Sequence, residues 1–80
     1  MKRRYTVILE KEADGGYHVF CPALPGCHSE GDSLDDAMEA IREAIEAYID
    51  SLVAHGEKVP EESDIIVAHA EVANAETAAV

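Results

Sequence analysis

Between Ser33 and Gly56 the chain holds no proline, no glycine and no cluster of turn-forming residues. A stretch of that kind reads as one continuous helix. Ser33 stands where a side-chain oxygen can accept the N–H of Asp36. Asp35 and Asp36 complement the positive helix end, and Gly56 supplies a C-terminal stop. In an 80-residue chain, such a helix leaves room only for short elements that lie against it in one small domain.

The residues before the helix read as strands. Tyr5, Val7 and Leu9 alternate with Thr6, Ile8 and Glu10, the period of a strand with two unlike faces. Asp14-Gly15-Gly16 supplies the positive φ of a hairpin turn. Tyr17 to Cys21 follows, with Tyr17, Val19 and Cys21 on one face and His18 and Phe20 on the other. Pro22 and Pro25 bar Cys21–Cys27 from a central strand, so that segment is a bend leading to a third strand at His28–Gly31. Val59 to Ser63 reads as a loop, and Asp64 to Val72, around Ile65-Ile66-Val67, as a fourth strand. The order is βββαβ, an α+β fold in which an antiparallel three-strand meander meets one crossover helix and a last strand. Residues 1–72 form the domain and 73–80 a tail with little to pack.

Placed at about 100° per residue, the helix divides into three sectors. Leu34, Met38, Ile41, Ile45, Tyr48, Ile49 and Leu52 make the expected core stripe. Asp35, Asp36, Glu39, Glu43, Glu46 and Asp50 share a second sector, and Ala37, Ala40, Ala44, Ala47 and Ser51 a third. The acidic sector has two readings, a solvated face or a docking surface for a basic partner. Like charges at i,i+4 cost a few tenths of a kcal/mol per pair, and a face selected for solubility alone would mix Glu with Lys. The alanine sector is either helix propensity or a place of close approach for a second copy, with Ile8 on the open sheet face as a further oligomer contact.

The net charge is −11, divided into +3 over residues 1–11 and −14 over the rest. That balance argues against nucleic-acid binding, which needs clustered Lys and Arg, and against anionic membrane surfaces. No apolar run approaches the ~20 residues of a membrane span, and the N-terminus lacks the continuous apolar stretch of a signal peptide, so the chain reads as cytoplasmic. Thirteen of the apolar residues are Ala, so the large groups are few and association would help so small a core.

No set of residues forms an evident active site. His18, Cys21, Cys27 and His28 are the best metal candidates, but His18 and Cys21 point to opposite strand faces. A Cys21–Cys27 disulfide is sterically conceivable, although a cytosolic chain keeps its thiols reduced. Cys27 and His28 are neighbours near a strand and point apart, which spoils a nucleophile–base pair. The first strand carries no acid between Tyr5 and Leu9, so the carboxylates do not converge as a metal nuclease requires. The reading is a non-enzymatic protein without metal or cofactor.

Three segments in order carry a resemblance: Asp14-Gly15-Gly16-Tyr17, then Pro22-Ala23-Leu24-Pro25-Gly26-Cys27, then Gly31-Asp32-Ser33-Leu34-Asp35-Asp36-Ala37. With the Tyr48-Ile49 to Leu52 region, they make the chain resemble the HicB-like antitoxins over about residues 5–72. The resemblance implies a truncated ribonuclease H-like fold and a role in a type II toxin–antitoxin pair. The implied partner is HicA, a small basic RNA-cleaving protein whose RNA surface the antitoxin blocks. It also implies homo-oligomers and, in full-length members, operon repression through a C-terminal DNA-binding domain. Only eight residues follow Val72, so direct DNA binding is not expected of this chain.

On this reading Asp35, Asp36, Glu39, Glu43, Glu46 and Asp50 contact the toxin, with Phe20, Pro22 and Leu24 as apolar anchors. The alternative is an orphan HicB-like oligomerisation or ligand-binding domain with no toxin.

Overall fold

The computed structural model describes residues 2–62 and 65–73. Strands β1 (Ile8–Lys11), β2 (Tyr17–Phe20) and β3 (His28–Gly31) precede helix α1 (Leu34–Ala54). The strands form one antiparallel sheet in the order β1-β2-β3. Its register sets Ile8 opposite Phe20 and Phe20 opposite His28, with Glu10, His18 and Glu30 in the adjacent row.

The turns follow from local chemistry. Gly15 takes φ 99°, and the Asp14 carboxylate accepts the Gly16 N–H at 3.0 Å. Glu12 N–H donates to Gly16 O at 2.7 Å, which closes the hairpin. The Cys21–Cys27 bend closes on itself, with Cys21 N–H donating to Cys27 O at 3.0 Å and Cys27 N–H to Leu24 O at 3.0 Å. Tyr48 ties this bend to the helix by donating its hydroxyl to Pro25 O at 2.9 Å.

Helix α1 begins and ends as its sequence dictates. Ser33 Oγ accepts the Asp36 N–H at 3.0 Å. At the other end Gly56 takes φ 69°, Glu57 N–H donates to Leu52 O and Gly56 N–H to Val53 O. That pair of bonds satisfies carbonyls the last turn leaves open, in the Schellman arrangement.

The core is small: Val19, Cys21, Leu24, Cys27, Ala37 and Ile41, with Tyr5, Val7, Leu9, Ala44, Ile45 and Tyr48 packed around it. It shows that the helix is rotated relative to the expected apolar stripe. Ala37 is fully buried and Ala44 packs on the core, whereas Met38 and Ile49 are half-buried and Leu34 is exposed. The sheet meets the border between the isoleucine and alanine sectors. The reason lies at Gly31, where a Cβ would stand 2.7 Å from Ala37 Cα. The helix backbone rests directly on β3, and only a small residue fits there.

Two expectations are corrected here. Ala37 is not an oligomer contact, because it is fully buried within its own chain; Ala40 and Ala44 are half-buried and Ala47 is exposed. The fourth strand, Asp64–Val72, does not form among the described residues. Asp64 lies outside them, and residues 65–72 join no ladder. Instead Ile65 N–H turns back to Glu62 O at 3.0 Å. The Glu62 carboxylate takes the Thr6 N–H and, at 2.8 Å, the Thr6 hydroxyl. The Thr6 N–H, just before β1, is engaged in this clasp.

Candidate functional site: an acidic helical ridge

All six carboxylate residues of the acidic sector are exposed: Asp35, Asp36, Glu39, Glu43, Glu46 and Asp50. At 1.5 Å rise per residue they form a ridge about 22 Å long on the side of α1 turned from the core. Each returns to the same face every three or four residues, so the ridge follows directly from helical spacing. Arg42, at its border, is the one cation within α1.

The expected apolar anchors do not join this ridge. Leu24 is fully buried, so it is a core residue rather than a contact. Its side chain fills the space the bend encloses, which sequence spacing did not reveal. Phe20 and Pro22 are half-buried. Val19 points to the helix, so Phe20, its neighbour on the strand, lies on the opposite sheet face. The ridge and Phe20 therefore occupy opposite sides of the molecule.

The open sheet face has its own character. His18 stacks near Phe20 at 6.2 Å and near His28 at 5.4 Å between ring centroids. Ile8 continues that row at 36% exposure. The sheet divides the metal candidates, with His18 and His28 on this face and Cys21 and Cys27 in the core. Among the described residues no three His, Cys, Asp or Glu side chains come together to hold a metal. Both cysteines are free thiols, and burial pushes each above the ordinary thiol range. A raised pKa keeps them protonated near neutrality, the opposite of an activated nucleophile.

A second concavity escaped the sequence reading. A groove of about 980 Å³ lies between the segment leading into β1 and the flank of α1. Tyr5, Val7, Met38, Ile45 and Ile49 form its apolar wall, and Lys2, Arg3, Arg4 and Arg42, with Glu46 and Asp50 from the end of the ridge, its charged rim. The signal for it was the width of the apolar helix stripe, which exceeds what a three-stranded sheet covers.

The chain is thus an α+β domain with a ridge of exposed carboxylates along its one long helix. Comparison with known proteins supplies the family. A model of the HicB-like antitoxins of bacterial toxin–antitoxin systems matches residues 5–80, and the chain belongs to that family. A UPF0150 protein of Synechocystis sp. is 62% identical over 63 residues, covering 79% of this chain and 78% of that protein. A UPF0150 protein of Thermoplasma acidophilum is 48% identical over 68 residues, covering 84% and 99%. Among solved structures, the N-terminal domain of the Burkholderia pseudomallei antitoxin HicB matches with a TM-score of 0.63 and 38% identity. That match covers 66% of this chain and 62% of the other. Among the described residues, no helix is long and apolar enough to cross a membrane.

Proposed function

We propose that this protein neutralises a small basic HicA-type RNA-cleaving toxin by covering the surface on which the toxin binds RNA. The carrying observation is the ridge: six exposed carboxylates aligned on one helix face, in a member of an antitoxin family. A toxin that grips RNA presents cations spaced for phosphates, and a row of carboxylates competes for the same cations. Such an interface gains association rate from electrostatic steering and weakens as salt rises. The antitoxin acts in the cytoplasm as a binding protein, without a cofactor and without catalysis. Its strong negative charge opposes direct contact with DNA.

The test is capture of the basic protein encoded beside this gene, followed by charge reversal on the ridge. Glu39→Lys with Glu43→Lys removes the attraction and abolishes binding; an unchanged affinity refutes the ridge as the contact. The other reading, an orphan oligomerisation or ligand-binding domain, draws on the open sheet face of Ile8, Phe20 and His18. It predicts no basic protein gene next to this one.

A further inference from the structure

The two buried cysteines stand in register with one another. The ladder that sets Phe20 opposite His28 runs one step further, to Cys21 and Cys27. Cys21 N–H donates to Cys27 O at 3.0 Å, which keeps the two backbones at ladder distance. Directly opposed residues of an antiparallel pair hold their Cα atoms about 4.5–5.5 Å apart. A disulfide needs about 4.4–6.8 Å. Opposed residues also send their side chains to one face, and both cysteines belong to one core cluster. Burial, and after it the neighbouring Cys21, push the Cys27 thiol up, so each sulfur feels the other.

The bend between them is already closed by its own backbone. Leu24 N–H donates to Cys21 O at 3.1 Å, and Cys27 N–H to Leu24 O at 3.0 Å. Its outer side is open. A concavity of about 430 Å³ is lined by both cysteines together with Pro22, Pro25 and Gly26 of the bend. Cys21 is 2% exposed and Cys27 5%, and both border this space. A small molecule therefore has an approach to the sulfurs that does not cross the sheet.

We propose that Cys21 and Cys27 form a reversible redox site, in which a low-molecular-weight disulfide of the glutathione class converts them into an intrachain disulfide that staples the bend over residues 22–26. The Cys27 thiol, the more exposed of the two, gives up its proton, and its thiolate attacks one sulfur of the small disulfide. One small thiolate leaves and takes up a proton. Cys21, as thiolate, then attacks the Cys27 sulfur of the mixed disulfide, and the second small thiolate leaves and is protonated. The two cysteines lose two electrons and two protons, and the small disulfide gains both. Both thiols are protonated near neutrality, so the exchange is slow there and quickens as pH rises. A reducing compartment leaves the pair open, and the staple marks oxidising conditions. The proposal uses no residue of the acidic ridge, so it stands apart from the toxin reading.

The test treats the full, folded chain with oxidised glutathione at mildly alkaline pH. The intact mass should fall by two hydrogens, and dithiothreitol should restore it. The tryptic peptide of residues 12–42, prepared without reductant, should carry the loss. The oxidised chain should unfold several degrees above the reduced one, because the staple removes freedom from the unfolded chain. In a glutathione redox buffer the folded chain should favour the bond about tenfold more than the chain in urea does, which matches a shift of that size. Cys21→Ser should stop the reaction at a single glutathione adduct on Cys27. A folded chain that keeps two glutathione adducts, or that links into covalent dimers, overturns the proposal. So do thiols that stay unreacted until urea is added, and a bond that forms no more readily in the folded chain than in urea. These outcomes are read on the unsubstituted chain, so a misfolded Cys21→Ser variant does not obscure them.

Discussion

Gly31 lies directly beneath Ala37, so close that a Cβ added to Gly31 would stand 2.7 Å from Ala37 Cα. This contact seats α1 on β3 and sets the rotation of the helix. Gly31→Ala cannot be absorbed by a side-chain rotation, because the obstacle is backbone. The helix must lift from the sheet, at a cost of about 1–3 kcal/mol, as for other overpacked sites. Thermal unfolding should show a fall in Tm of several degrees or more.

The acidic ridge makes a prediction about stability that runs opposite to its proposed use. Glu43 has Glu39 four residues before it and Glu46 three after, and all three are exposed. Glu43→Lys turns two repulsions into attractions and should raise stability by a few tenths of a kcal/mol. The same variant should bind a basic partner less well. Denaturant unfolding and binding titration on one sample would show the two effects with opposite signs.

Ser33 caps α1 through the Asp36 N–H. Ser33→Ala leaves that donor to water and should cost about 1 kcal/mol, whereas Ser33→Asp should preserve the cap. Urea midpoints of the two variants should separate accordingly.

Cys21 and Cys27 are both buried, and burial raises both thiols above the ordinary thiol range. The unfolded chain therefore releases these protons at lower pH than the folded one. Their contribution to stability is complete below the unfolded value and is lost as pH rises through the folded values. Stability measured by denaturant should fall across that alkaline range, and Cys21→Ala with Cys27→Ala should flatten the fall. Iodoacetamide should label both thiols slowly at neutral pH and fast in denaturant.

Local elements were legible because their signals are local. Ser33 and Gly56 bracket the helix through hydrogen bonds that reach only a few residues. Asp14-Gly15-Gly16 turns the hairpin through its own backbone and carboxylate, and the alternation of Val19 and Cys21 with His18 and Phe20 separates the two sheet faces. The ridge itself was legible for the same reason, since Asp35 to Asp50 share a face at helical spacing whatever the helix packs against.

What the sequence by itself determined is thus the three strands and the helix, their caps and turns, and the alignment of the acids. The tertiary structure decided which helix sector meets the sheet, and it chose the alanine border because Gly31 permits the backbones to touch. It decided that Leu24 belongs to the core and that Phe20 and the ridge face opposite ways. It also decided the fate of Ile65-Ile66-Val67, which reads as a strand but joins no ladder among the described residues. The physical reason is that caps and turns are settled by bonds to near neighbours. Rotation, burial and strand pairing depend on the shape of a distant surface, which strand propensity in a short segment does not encode.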